Sequence, residues 1–374
     1  MKQNMNQSKP SELNETLNQT YLSKEFWLIQ VGSTWFLDSI NIFVVIPISV
    51  IGFFLNILTF KILLKNQFFQ SKIFDYMRVY TMGSLIMCLL SAPFFVFETY
   101  RFFDFTNSYE TNAFGCYFLI PTQSALSFFN GLLCIAINLE RVINFMPTLD
   151  KFKNVSFSKI CALIFSLTVV INLPYYFIYY PSYSNVKLDT GADFRINYFA
   201  LTEFGLTLTG QIVSYLIYFF RDVLILGIEL ILNIWSIILL KRYLSNKQKI
   251  NSNISPTIQS EKAKTARSTN ENNVTSNGDA YHREGSELKD SKNIISKTEK
   301  NIMLLVIIMC MLSFFEHVFF LGCDSYFMIA QDLTAFALCD TSWLLTLIKY
   351  AANFFLFLFF NSLFRKAFKD LFSK

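Results

Sequence analysis

Residues 116–142 read CYFLIPTQSALSFFNGLLCIAINLERV, an apolar run that opens on Cys116 and closes on the triplet Glu140-Arg141-Val142. Cys116 and Arg141 stand 25 residues apart, about 37 Å at a helical rise of ~1.5 Å per residue. That is one bilayer crossing with charge at its end. A Glu-Arg pair is costly to leave in hydrocarbon, so the triplet must sit at the interface or face a protein interior.

The rest of the chain follows the same plan. Of 374 residues, 53% are hydrophobic and 16% charged, mean hydropathy is +0.38, and Phe (43) and Tyr (18) are abundant. A soluble domain of this length would carry more charge and fewer aromatics. The apolar residues come in seven blocks, at 39–64, 74–97, 114–139, 157–180, 209–240, 301–322 and 341–360, each long enough to span as a helix. The expected architecture is an all-α membrane protein, a seven-helix transmembrane bundle with its termini on opposite sides.

Loop charge orients it. The stretches 61–72, 141–159, 241–300 and 365–374 hold 23 of the 32 Lys and Arg residues, whereas the opposite set holds only Lys2, Lys9, Lys24, Arg101, Lys187 and Arg195. The positive-inside bias then predicts an outer N-terminus and a cytoplasmic C-terminus; the expected location is the plasma membrane. Glycosylation sequons at Asn6, Asn14 and Asn18 fall on the outer side in that orientation, and those at Asn154, Asn253 and Asn273 on the inner. Residues 1–25 have no apolar core segment, so the first span is expected to act as its own insertion signal.

Five regions follow: an outer glycosylated tail (1–38), spans one to five with their loops (39–240), a polar third inner loop (241–300), spans six and seven (301–361), and a short inner helix with the tail (362–374). The third inner loop, rich in Asn, Ser, Lys and Glu with almost no aromatics, has the composition of a disordered segment. In 362–374, Leu363, Phe364, Ala367, Phe368 and Leu371 recur at helical spacing opposite Arg365, Lys366 and Lys369. This is the pattern of an amphipathic helix lying on the inner leaflet.

These residues resemble the rhodopsin-like (class A) G-protein-coupled receptors over nearly the whole chain. Asn56 in GFFLNILTF matches that family's first-helix asparagine, Cys116 its third-helix cysteine, Glu140-Arg141-Val142 its Asp/Glu-Arg-Tyr triplet, and Pro174 its fourth-helix proline. Asn353 to Phe357 stands where the family has Asn-Pro-x-x-Tyr. The departures mark a divergent member. No acid lies near Ser84 in span two, where the family keeps a sodium-binding Asp; span four has Ile164-Phe165 in the region of the usual tryptophan. Span six reads MLSFFEHVFF without proline, and Asn353 has lost its following proline and its tyrosine.

The resemblance implies an outer ligand, an inner heterotrimeric G protein, and no catalysis, cofactor, metal or nucleic acid. Glu140 would hold Arg141 at rest, with Glu299 at the base of span six as a second restraint; Val142, Asn353 and Phe357 complete the coupling set. Outward movement of span six would free Arg141 and open a cleft for the C-terminal helix of a G-protein α subunit. Arrestin and kinases would act through 241–300. The family also ties its third-helix cysteine to the loop after span four, yet no cysteine lies between Cys161 and Cys310. Cys323 and Cys339 could bridge each other, one of them could reach Cys116, or the thiols could stay free.

Thirteen acidic residues against six basic ones on the outer segments would draw a cationic ligand, although insertion alone explains the low basic count. Gln123 lies 18 residues, five helical turns, before Arg141 and should point inward. Amine receptors of the family have Asp there, so the amide favours a peptide, most simply a basic neuropeptide; a structural hydrogen-bonder is the plainer reading. Charges inside spans face cavities or partners: Arg221, Asp222 and Glu229 in span five, Glu316 and His317 in span six, Lys349 in span seven. Glu316 and Lys349 fall at similar depth and are expected to pair, or else His317 lies beside Lys349; Arg221 would meet a ligand carboxylate, Asp222 or Glu203. Rival classes are a chemosensory receptor of the same fold for a small molecule, and a transporter. The latter would show internal repeats and broken Gly- or Pro-interrupted spans, and no repeat is visible.

Overall fold

With no water to satisfy them, backbone amides inside hydrocarbon must pair within their own segment, which leaves helices as the form for a single crossing chain. In the computed structural model, residues 41–65, 69, 71–99, 108–187, 193–239, 241–242, 245, 301, 304–323, 325–326 and 333–373 are described. Seven helices are long and apolar enough to cross a membrane. They are α1 (Asn41–Lys65), α2 (Lys72–Thr99), α3 (Tyr109–Asn144), α4 (Phe157–Ile178), α5 (Leu208–Leu239), α6 (Leu304–Cys323) and α7 (Leu333–Phe360, crossing over Ser342–Phe360), followed by α8 (Ser362–Phe372).

The expected spans agree with the crossing segments to within a few residues, except at α3. It starts before residue 114 and runs on past 139, so Glu140-Arg141-Val142 lies within the helix rather than beyond its end. Its apolar window is 67% buried against 17% for α4, so α3 is the axis of the bundle and α4 a peripheral strut. Sequence explains the contrast. Leu133, Cys134, Ile137, Asn138, Arg141 and Val142 are all buried and recur every three to four residues, whereas α4 turns Leu163, Phe165, Val170 and Phe177 outward.

Polar side chains stitch the helices together. Asn56 Nδ2 in α1 donates to Gly52 O (2.8 Å) and across to Tyr350 O of α7 (3.1 Å). Asn353 of α7 reaches Ser84 Oγ of α2 at 3.3 Å. Gly83 is required for close approach, since a Cβ there would lie 2.2 Å from Asn130 Oδ1 of α3. At the base of α7, Asn361 Oδ1 caps α8 by accepting from the amides of Leu363 and Phe364, each at 3.1 Å. Phe364 is fully buried and stacks on Phe357, ring centroids 5.3 Å apart, which docks the amphipathic helix against the bundle.

Two features were not foreseen. The segment after α4 folds into an antiparallel hairpin, β1 (Tyr179–Lys187) with β2 (Asp193–Leu201), in register Tyr179↔Leu201. Asn112 Nδ2 of α3 donates to Ser182 O at 3.2 Å and pins the hairpin to the bundle. The chain also widens to π-helical turns at Asn41–Val45, Gly115–Leu119 and Phe219–Leu224; such turns often mark functional positions.

Gly83→Ala should destabilise the bundle by about 1–3 kcal/mol through overpacking. The loss should be largely recovered in Gly83→Ala/Asn130→Ala, as thermal unfolding of the purified variants will show; additive losses would mean that Asn130 is not the obstacle.

Candidate functional site: a buried polar column

Polar and charged side chains converge along the inner faces of α3, α5, α6 and α7. Toward its hairpin end, the π-helical turn of α5 brings the consecutive residues Arg221 and Asp222 against one another. Asp222 Oδ1 and Oδ2 accept from Arg221 Nε (3.1 and 2.9 Å), and Oδ2 also from Nη2 (2.7 Å). Arg221 Nη1 then donates to Ser124 Oγ of α3 (3.2 Å), which donates to Asn172 Oδ1 of α4 (3.1 Å). Arg221 thus meets Asp222, the structural alternative among the expected partners, and its fork is engaged within the bundle. His317 of α6 stands on the far side of Asp222, its Nδ1 3.6 Å from Oδ1.

One level deeper, Lys349 of α7 donates to Glu316 of α6, and this ion pair is almost fully buried. Lys349 Nζ also reaches Ser313 Oγ (3.2 Å), which donates to Glu229 Oε1 of α5 (2.9 Å). Side chains from three helices therefore share one hydrogen-bonded unit. Deeper again, Asn138 Nδ2 of α3 contacts Cys310 Sγ of α6 (2.8 Å) and Asn233 Oδ1 of α5 (3.3 Å). Arg141 lies one turn beyond and is 3% exposed.

The expected residues divide as follows. Gln123 points inward as its helical phase requires, is 1% exposed, and donates to Ser91 Oγ of α2 at 3.4 Å. Glu316 and Lys349 come together; His317 joins Asp222 instead of Lys349. Glu140 forms its ion pair with Lys72 of α2 at 3.0 Å, which corrects the expectation that Glu140 holds Arg141: consecutive helical residues diverge by ~100°, and a lysine at the start of the next helix is better placed. Val142 and Phe357 are core residues and Asn353 is buried. Cys116 carries a free, buried thiol, so the bridge from Cys116 to an outer cysteine is not formed. Cys339 falls in α7, but its side chain, like Glu299, Asn6, Asn14 and Asn18, lies outside the described residues.

Glu229 was visible as a charge within span five, yet nothing in the sequence joined it to Lys349, because Ser313 bridges them. Asn138, Asn233, Ser124 and Asn172 carry the same signal, a polar residue inside an apolar run, but too weakly to stand out singly. Lys72 looked like an ordinary loop cation. An apolar crevice of about 610 Å³ between α1, α2, α3 and α4, lined by Phe60, Met82, Phe129 and Phe165 with Asp75 and Arg78 at one end, includes none of the expected ligand residues. Compared with known proteins, the chain matches no protein-family model and no curated protein sequence, so the geometry of the column carries the functional argument.

Lys349→Met strands Glu316 without its cation and should cost about 3–5 kcal/mol, whereas Lys349→Met/Glu316→Gln removes both charges and should return most of that loss. Unfolding midpoints of the two purified variants measure the coupling.

Proposed function

We propose that this membrane protein is a divergent rhodopsin-like G-protein-coupled receptor, oriented with its N-terminus outside the plasma membrane, that converts binding of an extracellular ligand into G-protein activation. One observation carries the reading. At the end of α3 that holds Arg141, the helix is bonded to α2 through Glu140–Lys72, to α5 through Asn138–Asn233 and to α6 through Asn138–Cys310. A swing of α6 away from α3 would break the last of these and uncover Arg141, now buried. On this reading the bundle has two arrangements, and a ligand would bias them by its differential affinity alone.

The polar column supplies the linkage. α6 carries Ser313, Glu316 and His317 on one face, each bonded or apposed to α5 or α7, so movement of α6 at one level strains partners at the others. A ligand of basic peptide character fits the acidic outer segments and the uncharged Gln123, and the hairpin β1–β2 offers it a broad contact surface beside α3. The same set of helices would serve a small-molecule chemosensory receptor, a reading distinguished by applying a library of small molecules in the same assay as the peptides.

Cells expressing the chain with a promiscuous G-protein α subunit should give calcium responses to some member of a library of basic amidated peptides. Arg141→Ala at matched surface level should abolish them, and Lys72→Ala should raise basal signalling several-fold by releasing Glu140. A response confined to small molecules would make it a chemosensory receptor; silence of the wild type at confirmed surface expression, with basal signalling equal in all three, would reject coupling through this end of α3.

A further inference from the structure

The charges gathered by α5, α6 and α7 do not cancel. Among the described residues, two cations, Arg221 and Lys349, face three carboxyl groups, Asp222, Glu229 and Glu316, and the one further side chain there that can become cationic is His317; Cys134, Tyr80 and Tyr350 are neutral in their ordinary forms. Asp222, Glu229, Glu316, His317 and Lys349 are each no more than 4% exposed. With every group in its ordinary neutral-pH form the cluster carries one net negative charge, in a setting where uncompensated charge is strongly disfavoured. Arg141 does not cancel it: that side chain faces Cys310 at the inner end, while the groups acting on Glu229 are Cys134 of α3, His317 of α6 and Lys349 of α7. Glu140 and Lys72 neutralise each other.

We propose that this cluster is a binding site for a single proton, taken up at Glu229 of α5 or at His317 of α6. Both groups have an atom ready for it. Glu229 Oε2 and His317 Nε2 are buried and have no hydrogen-bond partner among the described residues, whereas Glu229 Oε1 accepts from Ser313 and His317 Nδ1 faces Asp222. On every side the surroundings suit a proton. Asp222 lies against the imidazole, Gly131 of α3 lies close to Nε2, and the Tyr350 ring centroid lies 5.1 Å from Lys349 Nζ.

A sodium ion would meet the same charge deficit but not the geometry. The Lys349 ammonium already occupies the space between Glu316 and Ser313, and the described residues contain no group of three His, Cys, Asp or Glu side chains able to hold a metal ion. A proton needs only one acceptor, and imidazole changes charge near neutrality. A proton taken up at either group removes the excess charge shared by α5, α6 and α7, so its affinity and the packing of α6 are thermodynamically linked. This inference stands whether or not the chain proves to be a receptor.

The test is thermal unfolding of the purified full chain in lipid nanodiscs between pH 6.5 and 9, in choline chloride. Above about pH 7.5 the folded cluster holds one proton more than the unfolded chain, in which Glu229 is ionised and His317 neutral. Wild-type stability must therefore fall as pH rises through the dissociation of that proton. Glu229→Gln balances two cations with two carboxylates and should remove this slope. Glu316→Gln, with the same balance from the other side of the cluster, should remove it too, and serves if the first variant does not fold. Lys349→Met should steepen it towards two protons. A slope unchanged in both carboxylate variants overturns the proposal. So does a midpoint that rises when sodium replaces choline and ignores pH, which would make the bound cation sodium.

Discussion

A charge inside hydrocarbon must find its partner within the bundle, and the Lys349–Glu316 pair is the clearest consequence of that constraint here. Lys349 on α7 reaches Glu316 and Ser313 on α6, and Ser313 reaches Glu229 on α5. Apolar contact alone would not fix how these three helices rotate about their axes, because lipid tails are as apolar as leucine and packing in a membrane is held by close contact and interhelical hydrogen bonds. Placing the ammonium between a carboxylate and a hydroxyl fixes α6 against α7, and the carboxyl of Glu229 then fixes α5. The remaining helices assemble around α3, which lies most deeply in the bundle.

The polar contacts occupy distinct levels of the bundle and join different helices at each. Near the hairpin, Arg221, Ser124 and Asn172 join α5, α3 and α4; in the middle, Lys349, Glu316, Ser313 and Glu229 join α7, α6 and α5; at the Arg141 end, Asn138 joins α3 to α5 and α6, and Glu140 joins α3 to α2. α6 takes part in the middle and Arg141-end levels and, through His317, touches the first. Such an arrangement has few intermediate positions, since displacing α6 leaves buried polar groups without partners, a cost of roughly 1–3 kcal/mol for each. Discrete alternatives of this kind are what a signalling helix requires, and this consideration, more than any single motif, underlies the proposed receptor function.

Under the proposed receptor reading, the chain's departures from that family's pattern become intelligible in the same terms. Asn353, which lacks the expected proline after it, retains a bond to Ser84, so α7 still meets α2. With no acid near Ser84, the largest buried charge cluster among the described residues is the one built on α5, α6 and α7. Phe357, where the family has tyrosine, gives up a hydroxyl and gains a stacked contact with Phe364 that seats α8. Each change substitutes one way of holding two helices together for another.

Much of this was legible in the chain itself. Seven apolar runs of sufficient length dictate seven helices, since hydrocarbon permits no other backbone for them, and the depth match of Glu316 and Lys349 anticipated their pairing because each charge had few partners at that depth. The amphipathic period of 362–374 likewise forecast α8. Tertiary structure alone decided the rest. Lys72 as the partner of Glu140, Ser313 as the link to Glu229, and the π-helical turn that folds Arg221 onto Asp222 depend on how helices are rotated about their axes and how close they lie, and neither is set by the spacing of residues along one chain segment. The hairpin after α4 escaped notice for the opposite reason: its strands pair residues up to 22 positions apart, and no local periodicity records that register. Sequence fixes what each segment must avoid in the membrane, whereas only packing decides which buried polar group answers which.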